Sequence, residues 1–143
     1  MAKDVIQIKS RIIETIKPGN TVGEAVDMLA KHKIGLLVVC EKENQLAGVL
    51  SERDVVQALG KNGAACIDFK VGTVMTKDVV TCNGAAHPHD VLTQMRERNI
   101  RHMPVVEKGR LVGIVTSRDI LEDLAKNTSP DELAIMWAKM VQM

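Results

Sequence analysis

Residues 34–55 read IGLLVVCEKENQLAGVLSERDV, and residues 100–120 read IRHMPVVEKGRLVGIVTSRDI. Each stretch is an apolar run, a short polar turn, a second apolar run with a glycine in it, and then a hydroxyl, any residue, an arginine and an aspartate. Placing Ile34 on Ile100 also aligns Thr15 with Thr81, Val39 with Val105, and Glu41-Lys42 with Glu107-Lys108. After a one-residue shift in the turn, Gly48 falls on Gly113, Arg53 on Arg118, Asp54 on Asp119 and Leu59 on Leu124. Two copies of one unit therefore fill nearly the whole chain.

Each copy predicts the same elements. TVGEAVDMLAKHKI opens on a capping box, Thr21 to Glu24, and puts Val22, Ala25, Val26 and Leu29 on one helical face. HPHDVLTQM places Pro88 at the first helical position, with Val91, Leu92 and Met95 as the apolar stripe. The two apolar runs that follow are strands, separated in the second copy by Glu107–Gly109, and a helix runs from about Ser117 to Ala125. The order is strand, helix, strand, strand, helix. GKNGAACIDFKVG, residues 60–72, reads as a loose connector.

The expected fold is α+β: two β-α-β-β-α repeats packed sheet to sheet with pseudo-two-fold symmetry, plus a C-terminal helix. A sheet of so few strands with helices on one side leaves its other face apolar, and a second copy hides it. The cleft would lie where the sheets meet. The expected divisions are 1–66 for the first repeat with its N-terminal segment, 67–126 for the second, and 127–143 for the last helix. That helix, SPDELAIMWAKMVQM, begins with Ser129, Pro130 and Glu132 as its cap, and Leu133, Met136, Trp137 and Met140 recur at helical spacing. Its stripe either packs on its own domain or meets a dimer mate or partner protein through its methionines and the single tryptophan.

Composition narrows the function. At 143 residues the chain fits one ordinary domain with a real core. One Phe, one Trp and no Tyr leave little for stacking on single-stranded nucleic acid. A net charge of +1 with mixed signs offers no phosphate-neutralising stripe for duplexes. The apolar run LLVVC is too short to cross a bilayer, and none is longer than six residues, so the expected location is the cytoplasm. Cys40, Cys66 and Cys82 are odd in number and lack CxxC spacing, which suits reduced thiols. Cys40 reads as a small buried hydrophobe.

No catalytic or metal constellation is expected. His87 and His89 flank Pro88 and would point apart on a first helical turn, so His87 reads as an irregular N-cap. Ser51 and Thr116 have no histidine at a motif-defined distance and no GxSxG elbow.

The repeated heptads, GVLSERD at Gly48–Asp54 and GIVTSRD at Gly113–Asp119, have a purely structural explanation. Ser51 and Thr116 cap a helix, Asp54 and Asp119 reciprocate, and the glycines let a neighbour approach. Arg53 and Arg118 fit less well. At the second helical position the macrodipole disfavours a cation by about 0.3–1 kcal/mol. A phosphate at the helix start would reverse that sign, and the aspartate could bind a ribose diol, which together describe a nucleotide. The rival explanation is a salt bridge from the arginine across the interface between units.

With these motifs the chain resembles a tandem pair of cystathionine β-synthase (CBS) domains, similar to small stand-alone pairs and to the regulatory insert of inosine monophosphate dehydrogenases. VGTVMTKDVVT and the two stretches quoted first carry the likeness, over roughly Ser10 to Lys126. The resemblance implies a non-enzymatic regulatory module for adenosine-type ligands, namely AMP, ADP, ATP or NAD(H), with S-adenosylmethionine less favoured. It implies a homodimer, and leaves a protein partner at the last helix open. By carry-over, Gly48, Ser51, Arg53 and Asp54 form one half-site, and Gly113, Thr116, Arg118 and Asp119 the other. Backbone near Thr15 or Thr81, and at Leu36, Leu37, Met103 and Pro104, would frame adenine. Met75 and Thr76 would line a cleft. The second copy adds Arg101 and His102 where the first has Gly35 and Leu36, so phosphate should favour the second. A packed strand-edge role for His102 remains the alternative. So does a ligand-independent interaction module for the whole chain.

Overall fold

The computed structural model describes residues 4–8, 14–127 and 129–141. In chain order the helices and strands are α1 Val5–Ile8, β1 Thr15–Ile16, α2 Val22–His32, β2 Leu36–Cys40, β3 Leu46–Ser51, α3 Glu52–Asn62, α4 Val71–Val74, α5 Pro88–Arg98, β4 His102–Glu107, β5 Arg110–Thr116, α6 Ser117–Asn127 and α7 Pro130–Val141. They form two compact units, Ile13–Val79 with Gly109–Leu111, and Met1–Ile12 with Val80–Lys108 and Val112–Met143.

In the first unit the apolar run of β2 pairs antiparallel with β3, from Leu36 opposite Ser51 to Val39 opposite Gly48. β1 adds in parallel, Thr15 opposite Val38. α2 turns its Val22, Ala25 and Leu29 face onto Leu37, Val39 and Leu50. Each such fully buried aliphatic contributes about 1.5–3 kcal/mol before the entropy of ordering it is set against it. α2 ends at Lys33, whose left-handed φ of 54° is matched at the end of α5 by Asn99 at 55°.

The second unit repeats the plan. β4 and β5 are neighbours, and Cys82 bridges in parallel to Val105, the pairing that corresponds to Ile16 and Val39. The expected strand at Thr81 is thus reduced to a single bridge, because the chain turns away at Gly84, whose amide is held by the Glu107 carboxylate at 2.9 Å. α5 supplies Val91, Leu92 and Met95 to a core with Met103, Val105 and Ile120. His87 caps α5 through its ring Nδ1, which accepts from the His89 amide at 3.1 Å.

The connector is not loose. α3 runs on to Asn62, a 3-10 helix covers Gly63–Asp68, and Cys66 and Val71 are fully buried while Phe69 packs on the first unit's core. The apolar spacing of those three residues outweighs the glycines around them. Residues 67–79 consequently group with the first unit, so the sequence repeat and the compact unit divide the chain differently.

α7 packs against α5 and α6, yet Ile135, Trp137 and Val141 stay exposed. The side chains of Leu133, Met136 and Met140 lie outside those described. Among the described residues, no helix is long and apolar enough to cross a membrane.

Candidate functional site

Both heptads form the capping boxes their spacing requires. The Asp54 amide donates to Ser51 Oγ at 3.1 Å, and the Ser51 amide donates to Asp54 Oδ2 at 3.0 Å. The Asp119 amide donates to Thr116 Oγ1 at 3.0 Å, and the Thr116 amide to Asp119 Oδ2 at 3.2 Å. Each helix start is then tied to the preceding strand by the same backbone bond, Glu52 N to Gly35 O at 2.9 Å and Ser117 N to Arg101 O at 3.0 Å.

Around this shared frame the first half-site is crowded. Val49 and Thr76 exchange backbone hydrogen bonds of 3.0 and 2.9 Å, which lays Met75 and Thr76 across β3. A Cβ on Gly48 would come within 2.6 Å of the Thr76 carbonyl and 2.9 Å of Met75 Sδ. Glycine at 48 is therefore demanded by a backbone neighbour. The Thr76 hydroxyl donates to both Asp54 oxygens, at 3.2 and 3.3 Å. This engagement of Asp54 was not foreseen from the residues. The repeat frame offers a signal for it, since Thr76 aligns with Ser10, which lies outside the described residues.

The second half-site is more basic. Among the described residues, the Asp119 carboxylate shows only its capping bond, through Oδ2. His102, half-buried, feels Asp119: burial holds its pKa below the usual histidine value, the Asp119 charge pulls it up and Arg101 pulls it down. Ser117 is buried at 6 % exposure, while Arg101 and Arg118 are exposed. An open groove of about 380 Å³ is lined by Arg101, Ser117, Arg118, Leu121, Glu122 and Trp137, among others.

The two arginines differ in their surroundings. Arg118 Nε bonds Glu122 Oε1 at 3.2 Å on its own helix. Arg53 is exposed and has no acid within ion-pair distance among the described residues, because Gln57 stands where the second copy has Glu122. An exposed pair of this kind is worth about 0.3–0.5 kcal/mol, which roughly offsets the arginine's unfavourable position at the helix start.

Of the residues expected to frame adenine, Thr15, Leu36 and Leu37 lie with the first half-site's unit, and Thr81, Met103 and Pro104 with the second's. Leu37 and Met103 are fully buried in their cores, backbone included, and expose nothing to a ligand. The Pro104 carbonyl already accepts the Cys82 amide at 3.1 Å. A depression of about 610 Å³ opens at the hairpin end of the first sheet, and Thr15 is the one candidate residue that lines it.

The thiols are structural. Cys40, Cys66 and Cys82 are free and buried, and burial pushes Cys40 up and Cys82 up to about 11. Among the described residues, no cluster of three or more His, Cys, Asp or Glu side chains is placed to hold a metal ion.

Comparison with known proteins places these observations. The CBS domain family model matches residues 1–61 and 71–126. The chain is 36% identical over 120 residues to an inosine-5'-monophosphate dehydrogenase of Methanocaldococcus jannaschii, a match that takes in 83% of this chain and 23% of the dehydrogenase. The CBS-domain protein ATU1752 of Agrobacterium tumefaciens superposes with a TM-score of 0.77 at 36% identity, covering 86% of this chain and 94% of that one. The CBS domain pair of MJ0100, solved with 5'-methylthioadenosine and S-adenosyl-L-methionine, superposes with a TM-score of 0.78 at 29% identity, covering 90% and 100%.

Proposed function

Because the chain belongs to the CBS-domain family, we propose that it is a regulatory pair of CBS repeats that binds an adenosine-containing small molecule. It would bind at its repeated Gly-x-x-(Ser/Thr)-x-x-Asp half-sites and carry out no catalysis of its own. The observation that carries this reading is the doubled heptad itself, which holds Asp54 and Asp119 in matching capping boxes at the starts of α3 and α6. A ribose hydroxyl can bond Asp119 Oδ1 without uncapping the helix. At Asp54 a ligand must first displace the Thr76 hydroxyl.

A ribose diol is what AMP, ADP, ATP and NAD(H) share with the two compounds bound by MJ0100, so the aspartate alone does not choose among them. Arg101, His102 and the Ser117 end of α6 favour a phosphate beside the second half-site. The module acts as a homodimer in a reducing compartment, in keeping with its three separate buried thiols. Regulation requires the ligand to bind two states of the protein with different affinity.

Thermal-shift titration with AMP, ATP, NADH and S-adenosylmethionine tests the proposal on protein stripped of carried-over ligand. At a hundredfold over its dissociation constant, a ligand stabilises by about 2.7 kcal/mol. For a chain of this size that raises the melting temperature by roughly 5–10 °C. No shift with any of the four leaves the second reading, a ligand-independent interaction module. That reading draws on the exposed Val56, Ile135 and Trp137.

A further inference from the structure

The groove beside α6 changes character along its length. Arg118, Leu121, Glu122 and Ala125 recur at helical spacing and so form one stripe along the helix, and Trp137 of α7 lines the groove with them. Arg101 and the buried Ser117 stand at the head of this stripe, beside Arg118. Beyond them the lining is Leu121, Ala125 and the indole, with one acid, Glu122. Glu122 meets Arg118 through Nε at 3.2 Å, so a phosphate would take the two terminal nitrogens of that guanidinium. Every one of these residues, together with His102 and Asp119, belongs to the same compact unit. At about 380 Å³ the groove is in the range of small-molecule sites.

The first repeat differs at most of these positions. Gly35 and Glu52 align with Arg101 and Ser117, and a Cβ on Gly35 would lie 3.6 Å from Glu52 Oε1. A carboxylate thus stands where the second repeat has a guanidinium and a hydroxyl. Val56 and Gly60 align with Leu121 and Ala125; Val56 is 64% exposed, and a Cβ on Gly60 would meet nothing within 4 Å. The doubled heptad therefore accounts for the two aspartates but not for the groove, which is made by Arg101, Ser117 and α7. The single tryptophan of the chain lies in it at 52% exposure. A half-open indole beside two arginines is a platform for a flat ring joined to phosphates.

With its ribose on Asp119, an AMP brings its phosphate to Ser117 and Arg101, at the head of the groove. From Arg118 to Ala125 the helix advances about 10 Å, at 1.5 Å per residue, and a single phosphate does not cover that length. We propose that the groove is a subsite for the second half of a dinucleotide. The pyrophosphate lies between Arg101 and Arg118, and the second ring stacks on Trp137 along Leu121 and Ala125. Among AMP, ADP, ATP and NAD(H), NAD(H) alone carries a second flat ring beyond its phosphates. The further phosphates of ATP would run past the arginines onto Glu122 and the apolar lining. The subsite depends on the reading of Asp119 as a ribose site and selects among the ligands that this reading allows.

Calorimetric titration of the full chain with NADH, AMP and ATP tests it. NADH should bind about tenfold tighter than AMP, the gain that stacking one base on an aromatic ring gives. Trp137→Ala should abolish that preference and leave AMP affinity within about twofold, as for a site its partner does not touch. Trp137→Phe, which keeps a ring, should retain most of the preference. Ala125→Glu, at an exposed helical position, should weaken NADH and spare AMP without disturbing the packing of α7. Because Trp137 is the only tryptophan, NADH should also quench its emission by energy transfer to the dihydronicotinamide, which AMP should not do. Equal affinity for NADH and AMP, tighter binding of ATP than of NADH, or NADH binding indifferent to both Trp137→Ala and Ala125→Glu overturns the dinucleotide subsite and keeps the adenosine reading. No binding of any of the three overturns both.

Discussion

The half-sites around Asp54 and Asp119 share a capping box, a strand glycine and a backbone tie, and differ in what surrounds the carboxylate. Asp54 has the Thr76 hydroxyl on both oxygens, and the backbone of Met75 and Thr76 lies over Gly48. Asp119 is bonded on one oxygen among the described residues and has a histidine and an exposed arginine nearby. Duplication preserves the helix cap because the fold needs it twice. Among the described residues, what differs is the set of neighbours around each carboxylate.

The first way to break this comparison is to force the crowded side. Gly48→Ala puts a methyl against the Thr76 carbonyl at a distance real Cβ atoms do not adopt, so the backbone must move. Such overpacking costs about 1–3 kcal/mol. The expected result is a melting temperature several degrees lower, read by differential scanning calorimetry, and an unchanged one would deny that Met75 and Thr76 lie over β3.

Thr76→Val sharpens the comparison instead. It removes an exposed hydrogen bond worth about 0.5–1.5 kcal/mol and frees Asp54 Oδ1 for a ligand, while Oδ2 keeps its capping bond. Calorimetric titration with AMP should then gain binding at the first half-site. An unaltered isotherm would mean that the Thr76 hydroxyl does not restrict Asp54.

The smallest effect concerns pH. Burial depresses the folded pKa of His102, so the unfolded chain takes up its proton first. The stability this gives is fully present above the unfolded value of about 6.5 and is lost as pH falls from there toward the folded pKa. A bound phosphate should reverse the tendency by favouring the charged ring. AMP affinity should therefore improve a few-fold more between pH 7.5 and 6 in the wild type than in His102→Gln, which separates the histidine from the titration of the phosphate itself. Parallel curves would assign His102 to packing alone.

The sequence was most informative where the chain repeats itself. The frame from Ile34 on Ile100 put both strand pairs, both capping boxes and the left-handed residues Lys33 and Asn99 in matching places. Family resemblance to CBS pairs was legible from the doubled heptads. Less legible were features made by contacts distant in the chain. Thr76 and Asp54 are 22 residues apart, and no periodicity reports a hydroxyl crossing that distance. The connector at residues 60–72 looked loose because glycines dominate its pattern, whereas burial of Cys66, Phe69 and Val71 decides its packing. Arg118 invited an explanation through an anion or an interface, and part of the answer was the nearest acid on its own helix.

The central claim is that the two half-sites are unequal, and isothermal titration of Asp54→Ala and Asp119→Ala with AMP tests it most directly. Both substitutions remove the same capping bond, worth about 0.5–2 kcal/mol of stability, and Asp54→Ala also removes the Thr76 bonds, so affinity and not stability is compared. Loss of a charge-assisted bond to the ribose at Asp119 should weaken the tighter binding event tenfold or more. Asp54→Ala should leave that event within about threefold, well inside the effect of losing one such bond. Equal losses from the two substitutions, or a larger loss from Asp54→Ala, would contradict the account.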